Sequence, residues 1–258
     1  MSCVCQHFHA VATNTPSLWT YISFKPSPDW IGLQLFRSGN FGLTIDFRVD
    51  HPRGEGLKRT CSYSCVEILA MVLQHADRWI CLSCDISDEV DAQWKQMDNL
   101  LRDIHLPRLL VLSLDHFDTD AWETWTIPCL QVLHCDCQKM PLISTLTSPL
   151  RSLSLGSNVF CAHDTPSLLE LLREVNVNEM ATLTFTLPGG VTSHLLNISD
   201  RFASPPTLSE PLPVVTMPSL RTVTIDMGAS YGSLKMDDFF KALDLPTLET
   251  CTVKINGS

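Results

Sequence analysis

Apolar residues recur along this chain in one fixed phrase. It is most regular between Leu106 and Leu155, where it is stated three times: Leu106-Pro107-Arg108-Leu109-Leu110-Val111-Leu112-Ser113-Leu114, Ile127-Pro128-Cys129-Leu130-Gln131-Val132-Leu133-His134-Cys135, and Ser148-Pro149-Leu150-Arg151-Ser152-Leu153-Ser154-Leu155. The first copy reads P-x-L-x-x-L-x-L, the second has Cys135 in place of the last leucine, and in the third the proline has moved next to the leucine. The closing apolar positions alternate with polar ones, which is the period of a strand with one buried face. The anchors Leu109, Leu130 and Leu150 are 21 and 20 positions apart. Self-similarity at that interval marks stacked units, each too small to bury its own apolar face.

The phrase extends in both directions. Eight segments fit it, anchored at Trp19, Trp79, Leu109, Leu130, Leu150, Met180, Leu220 and Leu248, with separations of 60, 30, 21, 20, 30, 40 and 28. The longest gap holds a degenerate ninth strand, Gly42 to Phe47. Helical spacing fills the intervals. Val4, His7, Phe8 and Val11 form one stripe that ends at Asn14-Thr15-Pro16. Ser27-Pro28, an N-cap with proline at the first helical position, opens a helix carrying Trp30, Leu33 and Leu35 and closed by Ser38-Gly39-Asn40. Ser64 to His75 places Val66, Leu69, Ala70 and Leu73 on one face. Asp88 caps a stripe of Val90, Trp94, Met97 and Leu101, and Thr165-Pro166 opens another of Leu168, Leu171, Leu172 and Val175. Met236, Phe239, Phe240 and Leu243 mark the last helix. His51 to Gly56 reads as an exposed turn, and Pro188 to Pro218 as a short helix (Leu195, Ile198, Phe202) followed by a proline-rich loop near 203–218.

Strands alternating with helices imply parallel pairing. The expected fold class is therefore α/β: an irregular leucine-rich-repeat-like solenoid with parallel strands and helices on the convex side. The standard repeat has an asparagine three residues after its last leucine. Here only Asn158 supplies it, with Ser87, Phe117, Gln138 and Gly228 elsewhere, so the units should be less uniform.

Composition narrows the function classes. A formal charge of −10 and a pI near 5.2 argue against nucleic acid as a partner, since its phosphates reward Lys and Arg. No apolar run reaches the ~20 residues of a membrane span, and Met1-Ser2-Cys3-Val4 begins no secretory signal. Eleven cysteines, an odd number, fit a reducing compartment, so the expected location is cytoplasmic or nuclear. Cys84, Cys135 and Cys251 fall on inward positions and read as small core hydrophobes. Cys81-x-x-Cys84 and Cys135-x-Cys137 lack a second ligand pair at finger spacing, and Cys3, Cys5, His7 and His9 read as a packed helix end, so no metal or other cofactor is expected.

The outward positions are where function would sit. Aligning the units places Ser83, Ser113, His134, Ser154, Thr184, Thr224 and Thr252 in one outward column. The next column holds Asp85, Asp115, Asp136, Gly156, Thr186, Asp226 and Lys254. Such a face suits a basic or hydrogen-bond-donating peptide, although Thr also favours strands and Asp favours strand exits for purely structural reasons. The candidate partner-binding residues are Asp85, Asp115, His134, Asp136, Thr184, Thr224 and Asp226. No nucleophile elbow, phosphate loop, zinc-protease helix or dinucleotide fingerprint occurs. His134-x-Asp136 has no nucleophile placed by any motif, so an enzyme is not expected.

The N-terminal residues carry a resemblance. Val4-Cys5-Gln6-His7-Phe8-His9-Ala10-Val11-Ala12 followed by Thr15-Pro16-Ser17-Leu18-Trp19 resembles the last helix of an F-box and its exit in fungal F-box proteins with leucine-rich-repeat-like C-terminal regions. The family run is V-C-x-x-W-x-x-I/V-A and then T-P-x-L-W, and Phe8 replaces its tryptophan. Trp30 to Asp46 is similar to the segment that follows. The resemblance implies a remnant F-box helix at 1–15 and a repeat domain at 16–258. It also implies a substrate receptor of a cullin-type ubiquitin ligase, with the protein substrate on the concave sheet. Because the L-P-x-E opening of an F-box is not matched, docking on a Skp-type adaptor is expected only if a complete F-box lies upstream. The other readings are a stand-alone repeat scaffold with no ubiquitin role and a decayed fragment.

Overall fold

The repeated phrase folds as a turn and a strand. In the computed structural model, residues 6–48, 65–85, 91–115, 121–136, 149–156, 159, 165–175, 177–187, 214–227 and 241–255 are described. The chain divides into two compact units, Met1–Leu130 and Gln131–Ser258.

Proline explains the start of several repeats. In Leu106-Pro107-Arg108-Leu109 the anchor amide bonds back to the Leu106 carbonyl at 3.3 Å. Met217 to Leu220 and Leu245 to Leu248 close the same four-residue turn at the same distance. Proline occupies the second position of each, where its fixed φ is an asset and its missing N–H costs nothing. The anchor then drops into the core: Leu109, Leu130, Leu150, Met180 and Leu220 are fully buried.

In the first unit the strands are β1 (Tyr21–Ser23), β2 (Leu43–Arg48), β3 (Trp79–Asp85) and β4 (Val111–Asp115). They pair in that order and all in parallel, aligning Ile22, Ile45, Leu82 and Leu112 in one buried row. Helices α1 (Gln6–Thr13), α2 (Pro28–Arg37), α3 (Cys65–Leu73) and α4 (Asp91–Leu100) fill the intervals, with α2 against α3 and α3 against α4. Ser27 caps α2 as expected, its Oγ accepting the Trp30 amide at 3.4 Å.

In the second unit β5 (Val132–Asp136), β6 (Ser152–Leu155), β7 (Thr182–Leu187), β9 (Thr222–Met227) and β11 (Thr250–Ile255) are parallel neighbours in that order. Leu133, Leu153, Leu183 and Val223 form the buried row, and α5 (Thr165–Glu174) turns Leu168, Leu169 and Leu172 inward. The α/β class with parallel strands is therefore the architecture of both units.

Several local expectations need correction. Of the α1 stripe, Phe8 is 65% exposed and Val11 47%, while Val4 and the side chain of His7 lie outside the described residues. In α3 the buried residues are Cys65, Ile68, Leu69 and Val72, so the face is rotated relative to the expected Val66–Leu69–Ala70–Leu73 set. Apart from Glu67, Cys65 to Leu73 is apolar throughout, and periodicity alone cannot choose a face. In α2 Ile31 and Leu35 are buried while Trp30 is exposed. Leu243 does not continue a helix; with Asp244 it forms the short strand β10, parallel to β8 (Val215–Thr216), which lies within the stretch read as a proline-rich loop. Cys251 is exposed rather than a core thiol, and Val253 is 52% exposed, because among the described residues β9 is the only strand neighbour of β11. Met236, Phe239, Phe240, Asp88, Val90 and the 195–202 helix lie outside the described residues.

Leu133 is fully buried in a row of leucines. Leu133→Ala should cost about 2–5 kcal/mol as a large-to-small core change, measured by chemical denaturation; an unchanged midpoint would contradict its inward placement.

Candidate functional site

Register places the outward residues. Ser83 pairs with Ser113 and Asp85 with Asp115 across β3 and β4. In the second unit His134 pairs with Ser154, Ser154 with Thr184, Thr184 with Thr224, and Thr224 with Thr252. Asp226 lies between Thr186 and Lys254. All seven candidate residues are half-buried, each directly following a buried core position on its strand. The structure thus brings Asp85 and Asp115 together in the first unit. It aligns His134, Thr184 and Thr224 in the second, with Asp226 in the adjoining column.

Asp115 Oδ2 lies 3.4 Å from the Ser113 hydroxyl, which donates to it. Asp136 lies over Gly156, the buried glycine that follows β6; a Cβ at Gly156 would overlap the Asp136 side chain. The Gly156 amide donates to the Cys135 carbonyl at 2.7 Å, fixing that glycine beside the β5 exit. Asp136 therefore packs along the sheet instead of standing away from it.

The main polar cluster of the first unit was not among the residues picked from sequence. Asp46, in register with Ser23 and Ser83, is a buried carboxylate in the same outward column. Arg48, two positions on and so on the same face, grips it with both ends of a fork: Nε to Oδ1 at 2.6 Å and Nη2 to Oδ2 at 2.8 Å. The Tyr21 hydroxyl donates to Oδ2 from the neighbouring strand. The Arg48 hydrogen bonds outweigh burial and hold the Asp46 carboxyl below its ordinary range, while the bond to Asp46 and burial raise the Tyr21 phenol. Arg48 is in register with Asp85, yet its guanidinium turns along its own strand. The signal was present as Asp46-x-Arg48 in a strand, but the degenerate ninth unit was not aligned with the rest.

Thiol chemistry is quiet here. Burial first, then nearby carboxylates, pushes the Cys84 thiol up, and burial likewise raises Cys81. Both stay protonated and weakly nucleophilic. Among the described residues no three His, Cys, Asp or Glu side chains come together as a metal site. Cys3, Cys5, Cys137 and the side chains of His7 and His9 lie outside them. No described helix is long and apolar enough to cross a membrane.

The exit of α1 is built as a unit. Thr15 Oγ1 donates to the Val11 carbonyl at 2.7 Å, and Pro16–Trp19 forms a 3-10 turn. The Trp19 indole donates to the Ala12 carbonyl at 2.7 Å, lies 5.9 Å from the Trp30 ring, and carries the Arg37 guanidinium over its face at 4.5 Å. A cation above an indole is worth about 0.5–1 kcal/mol at such a site. Compared with protein-family models, curated proteins and solved structures, the chain finds no match.

Two outcomes test this geometry. Gly156→Ala should destabilise by about 1–3 kcal/mol through overpacking, and combining it with Asp136→Gly should cost less than the sum of the two single changes; strict additivity in a denaturation cycle would contradict the packing of Asp136. Asp46→Asn should cost about 1–2 kcal/mol near neutral pH. Because the folded carboxyl is depressed, its contribution is present above the unfolded carboxylate range and lost as pH falls through the folded pKa, so wild type and variant should converge in acid. A constant difference across pH would contradict this.

Proposed function

We propose that the chain is a non-enzymatic protein-binding module, the receptor part of an F-box-like substrate receptor for a cullin-type ubiquitin ligase. The observation that carries this is the division of strands β3 to β7 and β9: buried apolar side chains alternate with hydroxyls and carboxylates that line the other side, in register within each unit. Serine, threonine and aspartate in such rows offer many directional acceptors over an extended surface, which suits a polypeptide better than a small substrate. In this reading each unit is an irregular leucine-rich-repeat-like stack with helices on the convex side, supported by the recurring proline turn and buried anchor.

The ligase assignment rests on residues 4–19 and their resemblance to an F-box exit. The packing of Trp19 against Ala12, Trp30 and Arg37 gives Thr15-Pro16-Ser17-Leu18-Trp19 a structural purpose, the joining of α1 to the first strand. Adaptor docking belongs to a complete F-box and is not expected from residues 1–15 alone. A cytoplasmic or nuclear location accompanies the proposal. The second reading, a stand-alone repeat scaffold, shares the same outward face and differs only in what is attached to it.

Affinity capture with the chain as bait, followed by quantitative mass spectrometry, separates these. Proteins retained by wild type should be lost from an Asp85→Lys, Asp115→Lys double variant that melts like wild type. The Skp-type adaptor should not be retained directly. Retention unchanged by the charge reversal would place binding elsewhere, and direct, robust adaptor capture would overturn the reading of residues 1–15.

A further inference from the structure

The turn from α2 into β2 is fastened to the start of β3 by an arginine whose partners are all neutral. Arg78 is 8% exposed. Its Nε donates to the Phe41 carbonyl at 3.1 Å, its Nη2 to the Ser38 hydroxyl at 2.6 Å, and its Nη1 stands 3.5 Å from His75 Nδ1. Ser38 is fully buried at the C-cap of α2, and its hydroxyl donates a hydrogen bond to the Leu35 carbonyl at 2.8 Å. Behind it, Gly42 rests on Ile80 with no room for a Cβ. The carbonyl end of α2 favours a cation there, which helps a buried guanidinium persist without a carboxylate.

We propose that His75, Arg78 and Ser38 form an acid-released clasp that seats the α2–β2 turn on β3. The neutral imidazole, with its proton on Nε2, presents a lone pair at Nδ1 to the Arg78 N–H. Protonation puts a hydrogen on Nδ1, so the acceptor is lost and two cations face each other. The charged groups facing this pair are Asp77, on the same turn as both, and Arg108, ahead of β4; Asp77 opposes the repulsion and Arg108 adds to it. Burial and Arg78 both hold the His75 pKa below the ordinary 6.5. The clasp is therefore whole above that value and is lost as pH falls through the folded pKa. β2 follows the turn directly and carries Asp46 and Arg48, so release loosens the strand that holds the outward cluster.

Amide exchange read by mass spectrometry at about pH 7.5 and about pH 5.5, corrected for intrinsic rates, tests this. Peptides covering 38–43 should lose protection at the lower pH in wild type, while His75→Gln, which cannot titrate, should show no pH-dependent loss. In parallel, Arg78→Gln should raise the His75 titration midpoint observed by proton NMR. Equal pH responses in wild type and His75→Gln, or a His75 midpoint unmoved by Arg78→Gln, would overturn the clasp.

Discussion

The carbonyl that follows each anchor residue sets the register on which the rest depends. Gln131 O accepts the amides of Arg151 and Ser152 at 2.8 and 3.1 Å; Arg151 O accepts those of Ala181 and Thr182, Ala181 O those of Arg221 and Thr222, and Arg221 O those of Glu249 and Thr250. One carbonyl thus takes two successive donors of the next repeat, four times running in the second unit. The first unit uses the same position more simply, Thr20 O to the Thr44 amide and Ile80 O to the Leu110 amide, each at 2.9 Å. The buried anchor and, in several units, its proline turn hold that carbonyl in place. A slip of one residue would send every leucine outward, so this bond and the apolar row reinforce each other.

Once register is set, the outward face follows with no further choice. Residues between buried positions must point away from the core, and these sequences place Ser, Thr, His and Asp there. The result is not uniform. At β2 a buried Asp46 is neutralised by Arg48 and tethered by Tyr21, so that part of the first unit is a closed polar cluster. At β5 the absence of a side chain at Gly156 lets Asp136 lie down. Asp85 and Asp115 are paired across β3 and β4, which is why the charge-reversal experiment is aimed there.

Much of this was legible from the leucine phrase, because burial on one face of a strand imposes strict alternation. Leu112, Leu133, Leu153, Leu183 and Val223 were all placed inward by spacing alone, and Ser27-Pro28 located a helix start through capping chemistry that is local. What escaped depended on neighbours. The face of α3 was obscured because Cys65 to Leu73 is apolar nearly all round. Cys251 and Val253 have core-type spacing but sit on an edge strand, and Phe8 and Val11 of α1 have core-type spacing yet are exposed. The β8–β10 pair joins residues 28 apart through two-residue strands that have no period to detect. The Tyr21–Asp46–Arg48 cluster spans two strands, one of them too irregular for the repeat alignment.

The central claim is that one face of each strand carries stability and the other is left for recognition. Alanine replacement along β7 tests it most directly, with Leu183 and Phe185 against Thr184 and Thr186, each variant measured by urea denaturation. The inward pair should cost about 2–5 kcal/mol apiece and the outward threonines less than about 1 kcal/mol. Comparable losses on both faces would contradict the account, because the outward residues would then be structural and not available as a binding surface.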